Sequence, residues 1–313
     1  MRYRPVLALI AGVALAGAAV GTMSGRARTP DLATHVGTYV WHVDDPHFGG
    51  WSGLELSDDG HRFLSQSDKG NLISGSLTRD ASGAVTAVSA NPITPERGPD
   101  GKVLRATRRD SEGLAVSSSG KIYLSFEGIQ RVLEYDRPDG PAHALPRDPA
   151  FLNMPLNGSL EALAVDAGGA LYTMPEVGPV GHPIPVYRYA GGRWTQPFSL
   201  TRPDRFRPVG ADFGPDGRLY ILERAFLGIF GFQTRVIRVT MGAGNRPVDA
   251  VQLFQSYPGQ YDNLEGLAVW RDAQSRIRLT MISDDNFLFL QKTELVDYVV
   301  APAMAHAASA KGP

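Results

Sequence analysis

Three glutamates head nearly the same stretch of chain: Ser111-Glu112-Gly113-Leu114-Ala115-Val116, Leu160-Glu161-Ala162-Leu163-Ala164-Val165 and Leu264-Glu265-Gly266-Leu267-Ala268-Val269. In each copy a turn and a second apolar run follow, and that run stops at an acid. The closing acids are Glu127, Glu176 and Asp284 here, and Asp68 and Glu223 in two further copies; Glu223 falls one residue early, which puts Arg224 at the equivalent position, and Asp285 and Asn286 adjoin the last. Hairpin strands run in opposite directions, so the start of one is level with the end of its partner. Both acid sets therefore face one end of the assembly that the copies build. Converging carboxylates repel and are costly to desolvate unless a cation or a basic partner neutralises them. A hard cation such as Ca2+ takes about six to eight oxygen ligands. Glu112, Glu161, Glu265, Asp284, Asp285 and Asn286 are the candidate ligands. Lys69, Arg109, Arg131 and Arg224 lie close in sequence to the same ends and suit an anionic ligand, with Glu127, Glu176 and Glu223 in the same contact set. The chemistry open to such a group is metal-assisted attack of water on a phosphorus or carbonyl centre, with Glu112, Glu161 and Arg224 as catalytic candidates.

Other routes have less support. The chain lacks a Gly-x-Ser-x-Gly elbow, a His-Glu-x-x-His pair, a Walker loop and a Gly-x-Gly-x-x-Gly turn. Its seven histidines are scattered, and His42 with His47 is not a helical metal pair. Cysteine is absent, which removes disulfides and thiolate chemistry. Net charge is −1 from 31 basic and 32 acidic residues, so no global field favours nucleic acid or an anionic membrane. Asp59, Asp139 and Asp216, each before Gly, read as turn residues. Trp41, Trp51, Trp194 and Trp270 read as packing residues. Arg108-Arg109-Asp110 reads as a solvated loop edge.

Behind the acids stands a repeat. Ser52, Glu112, Glu161, Val209 and Glu265 occupy equivalent places, at steps of 60, 49, 48 and 56 residues. Such a period, with four short strands per unit, predicts an all-β fold: a single β-propeller of five or six four-stranded blades. Turn pairs Asp59-Gly60, Ser119-Gly120, Gly168-Gly169 and Asp216-Gly217 join the first two strands, and Arg271–Arg276 does so in the fifth copy. Third strands are expected at 71–77, 131–137, 186–192, 234–240 and 287–293, and weaker fourth strands at 84–90, 194–200 and 250–257. Connectors at 91–101, 138–158 and 175–185 are rich in Pro and Gly and read as loops. One more strand, 35–43, would complete the last blade and close the ring. At the N-terminus, Arg2 and Arg4 precede the apolar stretch 6–20, which marks residues 1–27 as a secretory signal peptide. A linker at 28–34, a propeller domain at 35–300 and a disordered tail at 301–313 follow. The expected protein is periplasmic or secreted.

Leu264-Glu265-Gly266-Leu267-Ala268-Val269-Trp270 followed by Ile282-Ser283-Asp284-Asp285-Asn286-Phe287, with the earlier Ser-Glu-Gly-Leu-Ala-Val and Gly217-Arg218-Leu219-Tyr220-Ile221-Leu222-Glu223-Arg224, resembles the phytase-like family known for esterase-like activity of phytase. The resemblance covers roughly residues 35–300 and implies an exported bacterial propeller that hydrolyses ester or phosphoester bonds. More distantly, it is similar to propeller phytases, which bind several Ca2+ ions on an acidic face. It is also similar to gluconolactonase and regucalcin propellers, which place such a glutamate on a central metal. The family pattern maps onto Glu112, Glu161, Glu265, Asp284, Asp285 and Asn286. Ser52 and Val209 depart from it, so a fully symmetric acid ring is not expected. The resulting expectation is a hydrolase with one divalent cation, Ca2+ first, acting on a small anionic ester. It would be a monomer with neither a nucleic-acid partner nor stable membrane insertion after signal removal. A non-catalytic binding propeller of the cell envelope is the alternative, and a purely structural role for the acids is the third reading.

Overall fold

The computed structural model describes residues 31–178 and 181–302; the signal-peptide expectation and residues 303–313 of the expected tail lie outside this range. The first strand, β1 (Ala33–Trp41), stands apart from the repeats. Blade 1 comprises β2 (Trp51–Leu56), β3 (Arg62–Ser67), β4 (Asn71–Arg79) and β5 (Val85–Ala90), with the two-residue β6 (Thr94–Pro95) also paired to β4. Blade 2 holds β7 (Ser111–Val116), β8 (Ile122–Phe126), β9 (Arg131–Tyr135) and β10 (Ala142–Ala144). β11 (Ala162–Val165), β12 (Leu171–Met174), β13 (Ile184–Ala190) and β14 (Arg193–Leu200) make blade 3, and β15 (Arg207–Phe213), β16 (Leu219–Phe226), β17 (Phe232–Met241) and β18 (Pro247–Gln255) make blade 4. Blade 5 is β19 (Asn263–Arg271), β20 (Ile277–Asp284), β21 (Thr293–Val300) and β1, which pairs antiparallel with β21 from Ala33↔Val300 to Trp41↔Thr293. The chain thus forms five blades, and its first strand closes the ring as the sequence anticipates. No sixth blade exists among the described residues.

Burial follows the order of strands within each blade. Inner strands β11 and β19 are buried almost throughout, because other blades pack on both of their faces, while β5 and β18 on the outside show mainly exposed or half-buried residues. Five apolar clusters fill the five blade interfaces, for example Leu72 against Leu114 and Leu133 between blades 1 and 2, and Leu253 and Phe254 with Leu279 and Val296 between blades 4 and 5. All four tryptophans are buried, Trp41, Trp51 and Trp194 in these layers, with Trp41 stacked on Trp51. The tight turns hold Gly60, Gly120, Gly169 and Gly217 at positive φ, which only glycine adopts cheaply.

Two strand assignments change. The apolar run 287–293 is not the third strand of blade 5. Asn286 and Phe287 take positive φ, Leu288 N–H donates to the Asp285 carbonyl, and the run forms an exposed turn before β21 starts at Thr293. Its hydrophobicity is continuous rather than alternating, and it has no second sheet to bury it. The connector 138–158 hides β10, which at three residues is too short to leave a periodic signal. Short 3-10 turns at Ala106–Arg108, Pro149–Asn153, Gly228–Phe230 and Ala243–Asn245 lie in connections, and among the described residues no helix is long and apolar enough to cross a membrane.

The glycine after Glu112 and after Glu265 has a packing reason. A Cβ on Gly113 would lie 2.5 Å from the Glu161 carbonyl oxygen, and one on Gly266 would lie 2.9 Å from the Gly53 carbonyl carbon. Gly53 and Gly210 meet the next inner strand in the same way, and blade 3 admits only Ala162 at this level. Small residues there let the inner strands close a narrow ring. Gly266→Val forces the ring apart, so its thermal midpoint should fall by about 5–10 °C. Gly178→Ala, whose Cβ meets nothing, should leave it unchanged.

Candidate functional site

The inner hairpin ladders of blades 1, 2, 4 and 5 skip at the position where the glutamates stand. Register shifts fall between Trp51 and Gly53, Ser111 and Leu114, Pro208 and Gly210, and Leu264 and Gly266. Ser52, Glu112, Val209 and Glu265 are therefore bulge residues, and a bulge re-aims its side chain out of the ordinary pleat. Glu161 directly precedes β11 at the same level. The partner strands end beside them, as Asn263↔Asp284 and Pro208↔Glu223 show. By the same register Arg224 in blade 4 stands where blades 1, 2 and 5 carry Asp68, Glu127 and Asp284.

The result is an acidic mouth at one end of the ring. Glu112 feels Glu161, Glu127, Glu265 and Asp110, and Glu161 feels Glu176, Glu127 and Glu265. Burial and then this mutual repulsion hold the carboxyls of Glu112 and Glu161 well above the usual carboxylate range. Asp284 is pushed up to about 8, by burial first and then by Glu265 and Asp68. Burial likewise raises Asp110 and Glu127, although Gly158 N–H donates to Glu127 Oε2 and offsets part of the effect. Arg224 is the positive group within. Its guanidinium pairs with Glu265, donates to Asn263 Oδ1 and lies 3.4 Å from Glu176 Oε1. Burial opposes its charge, yet Glu265, Glu176, Glu161 and Asp284 outweigh burial and raise its pKa.

Neutralisation is uneven around the mouth. Arg224 serves the blade 3 and blade 5 sides, and Arg207 adds a 3.8 Å contact to Glu176. On the blade 2 side Asp110, Glu112 and Glu127 each offer an oxygen, all within 4.8 Å of one another. Two ligands of one Ca2+ at about 2.4 Å each can be no farther apart than that sum. Asp68 Oδ1 nearby is buried without a hydrogen-bond partner. A cradle of three carboxyls whose pKa values are raised by burial and mutual repulsion, with an orphaned buried oxygen beside it, fits a hard divalent cation.

The remaining predicted residues are distributed as follows. Lys69 pairs with Asp68 at the rim, its Nζ 5.6 Å from the Phe287 ring centre. Glu223 points away from the mouth and pairs with Arg235, which also holds Asp204 at 2.6 Å. Arg131 lies flat on Phe126 at 4.0 Å and donates to the carbonyls of Ile129 and Arg108, a wall position whose burial lowers its pKa to about 10. Asp285 spends both oxygens on closure, accepting from Gly50 N–H at 3.0 Å, Phe287 N–H at 3.1 Å and the Thr293 hydroxyl at 3.1 Å. Asn286 is exposed, and its N–H donates to Asp284 Oδ1. Sequence reading missed Asp110, taken there for a loop edge, and Asn263, whose Nδ2 donates to Glu265 Oε1 at 2.9 Å. The signal for Asp110 was its i, i+2 spacing from Glu112, which puts both on one side of an extended chain.

These raised carboxyls set a pH dependence. Asp212, at the opposite end of the ring, is pushed to about 7 and Glu96 to about 8, both by burial first. Between the ordinary carboxylate range and about 8, the folded state binds more protons than the unfolded chain. Stability is then fullest at low pH and is lost as pH rises through the folded values. In chelator, the thermal midpoint should fall between pH 5 and 9, by about 5 °C or more. A flat or rising profile would contradict the assignment.

A family profile described as Phytase-like: Esterase-like activity of phytase matches residues 46–287. No curated protein matches. Among solved structures, a PQQ-bound aldose sugar dehydrogenase from Streptomyces coelicolor aligns at 12% identity and TM-score 0.44, over 86% of this chain and 99% of that one. The calcium-binding protein regucalcin from Agrobacterium tumefaciens aligns at 14% identity and TM-score 0.43, over 82% and 78%. An inactive virginiamycin B lyase from Staphylococcus aureus with quinupristin aligns at 13% and 0.40, over 84% and 99%.

Proposed function

The chain belongs to the phytase-like family of esterase-like activity, and we propose that it hydrolyses ester or phosphoester bonds of an anionic substrate with the help of one divalent cation, Ca2+ first. The arrangement behind this reading is the opposition of two charges across one mouth: the Asp110–Glu112–Glu127 cradle on blade 2 and the Arg224 guanidinium on blade 4. Asp110, Glu112 and Glu127 would hold the cation, with Asp68 and Glu161 beside them. A bound cation supplies Lewis-acid polarisation and a more acidic water. Arg224 orients the anionic oxygen and meets the charge that develops on it. Glu161, whose hold on its proton is strengthened by burial and then by its acidic neighbours, is placed to give a proton to the departing alcohol oxygen. The attacking water loses its proton to an adjacent mouth carboxylate, so the site ends the cycle with its charge unchanged. Asn263 and Glu176 hold the guanidinium in place.

The test is a screen of the stripped protein on phosphomonoesters, carboxyl esters and lactones, with and without Ca2+. Turnover that needs the cation and disappears in Glu161→Gln supports the reading; turnover indifferent to both contradicts it. One feature favours binding without catalysis: Arg224 is already engaged by Glu265, Asn263 and Glu176. In that case the same screen gives cation binding with no turnover of any ester.

A further inference from the structure

The two ends of the ring differ in more than charge. The end opposite the mouth is closed by tight polar turns such as Asp59-Gly60 and Asp216-Gly217. Among the described residues, Val248 is its only mostly exposed large apolar side chain, with Leu32 more than half covered. The mouth end carries long connections whose tips are apolar. Ile229 is 96% exposed and Phe230 68% in the β16–β17 connection, Phe289 94% and Leu290 78% in the β20–β21 connection, and Leu156 74% before blade 3. Strand direction places all three connections at the level of the acid sets. Side chains this exposed contribute nothing to the fold, and several together on one face mark a binding surface.

Charge narrows the choice of occupant. The connection between blades 1 and 2 brings exposed Lys102, Arg105 and Arg108 to the same end, and Arg205 stands exposed before blade 4. A surface with an apolar interior and anionic phosphates at its boundary satisfies both the apolar tips and the basic loops. We propose that the mouth end docks on a phospholipid surface, with the tips at Ile229–Phe230 and Phe289–Leu290 entering the headgroup–acyl boundary and the basic loops on the phosphates. This docking would restrict the hydrolytic site to esters presented at a lipid surface. In that respect it rests on the reading above, but docking itself needs no catalysis.

The test is co-sedimentation with vesicles of phosphatidylcholine containing about a third phosphatidylglycerol, in chelator, so that failure says nothing about the cation site. The wild type should sediment with the vesicles. Ile229→Ser with Phe230→Ser should lower the partition coefficient about tenfold, and so should Phe289→Ser with Leu290→Ser, without change in thermal midpoint. Arg105→Glu with Arg108→Glu should lose the preference for anionic over neutral vesicles. Absence of sedimentation by the wild type, or partition unchanged in both apolar pairs, would overturn the proposal. So would a wild-type dimer that the apolar substitutions dissolve, which would assign the face to a second copy.

Discussion

Glu112→Gln protein, stripped with chelator, should gain no thermal stability from added Ca2+, whereas the wild type should gain several degrees in a concentration-dependent way. The residue contributes one of the three oxygens that meet within 4.8 Å, and it is a bulge residue whose side chain can point only into the mouth. Removing its charge leaves Asp110 and Glu127 with too little negative potential to dehydrate the ion. Cation affinity should drop by about 100-fold or more, and any cation-dependent hydrolysis with it. The same change should make the cation-free protein less sensitive to pH, because one of the carboxyls held far above its ordinary range is gone. Thermal shift against Ca2+ concentration, at pH 6 and pH 8, reads both effects. Retained Ca2+ stabilisation in the variant would place the ion elsewhere.

Arg224→Met should be the most destabilising single change at the mouth. The guanidinium is the positive charge among Glu265, Glu176, Glu161 and Asp284, and its side chain is only 18% exposed. Breaking one partner out of such a buried group costs about 3 kcal/mol or more, since the carboxylates are left uncompensated. The loss should grow with pH as the mouth acids ionise. If the site is hydrolytic, removing the group that meets the developing charge should also lower kcat about 100-fold or more. Arg224→Lys should recover stability in part but not kcat, because an ammonium cannot reproduce the fork that spans Asn263, Glu265 and Glu176. Denaturant melts at pH 6 and pH 8, with steady-state rates for the better-folded variant, separate the two roles. A variant as stable as the wild type at both pH values would show that Arg224 does not neutralise the mouth.

Much of this was legible before any coordinates. The repeat of Glu-Gly-Leu-Ala-Val, its spacing and the glycine turns give the blades, because inner strands buried on both faces must be short, apolar and nearly alike. The gathering of the acids followed from strand direction alone. Arg224 was legible too: Glu223 falls one residue early in its strand, which puts Arg224 at the position the closing acids hold in the other copies, and the register pairs it with Arg207 as Asp284 is paired with Asn263. In an alternating strand, a one-residue offset sends a side chain to the opposite face. Asp285 matched a ligand type, but a carboxylate next to a chain reversal is equally suited to collecting backbone N–H groups, and here it does so across blades 1 and 5. Asp110 stayed hidden because its neighbours are two arginines, and the connection that carries it over the mouth leaves no periodic pattern. The apolar stretch 287–293 misled for the opposite reason, since hydrophobicity without alternation does not specify a strand.

The most direct measurement is calorimetric titration of Ca2+ into chelator-stripped protein near pH 7, in two buffers of different ionisation enthalpy. Carboxyls whose pKa values are raised by burial and mutual repulsion give up protons more readily once a cation binds among them. Saturable binding with release of about one proton per ion, abolished in Glu112→Gln and tighter at pH 8 than at pH 6, is the predicted result. Binding heat absent in the wild type, or identical in Glu112→Gln with no proton released, would contradict a cation centre at this mouth.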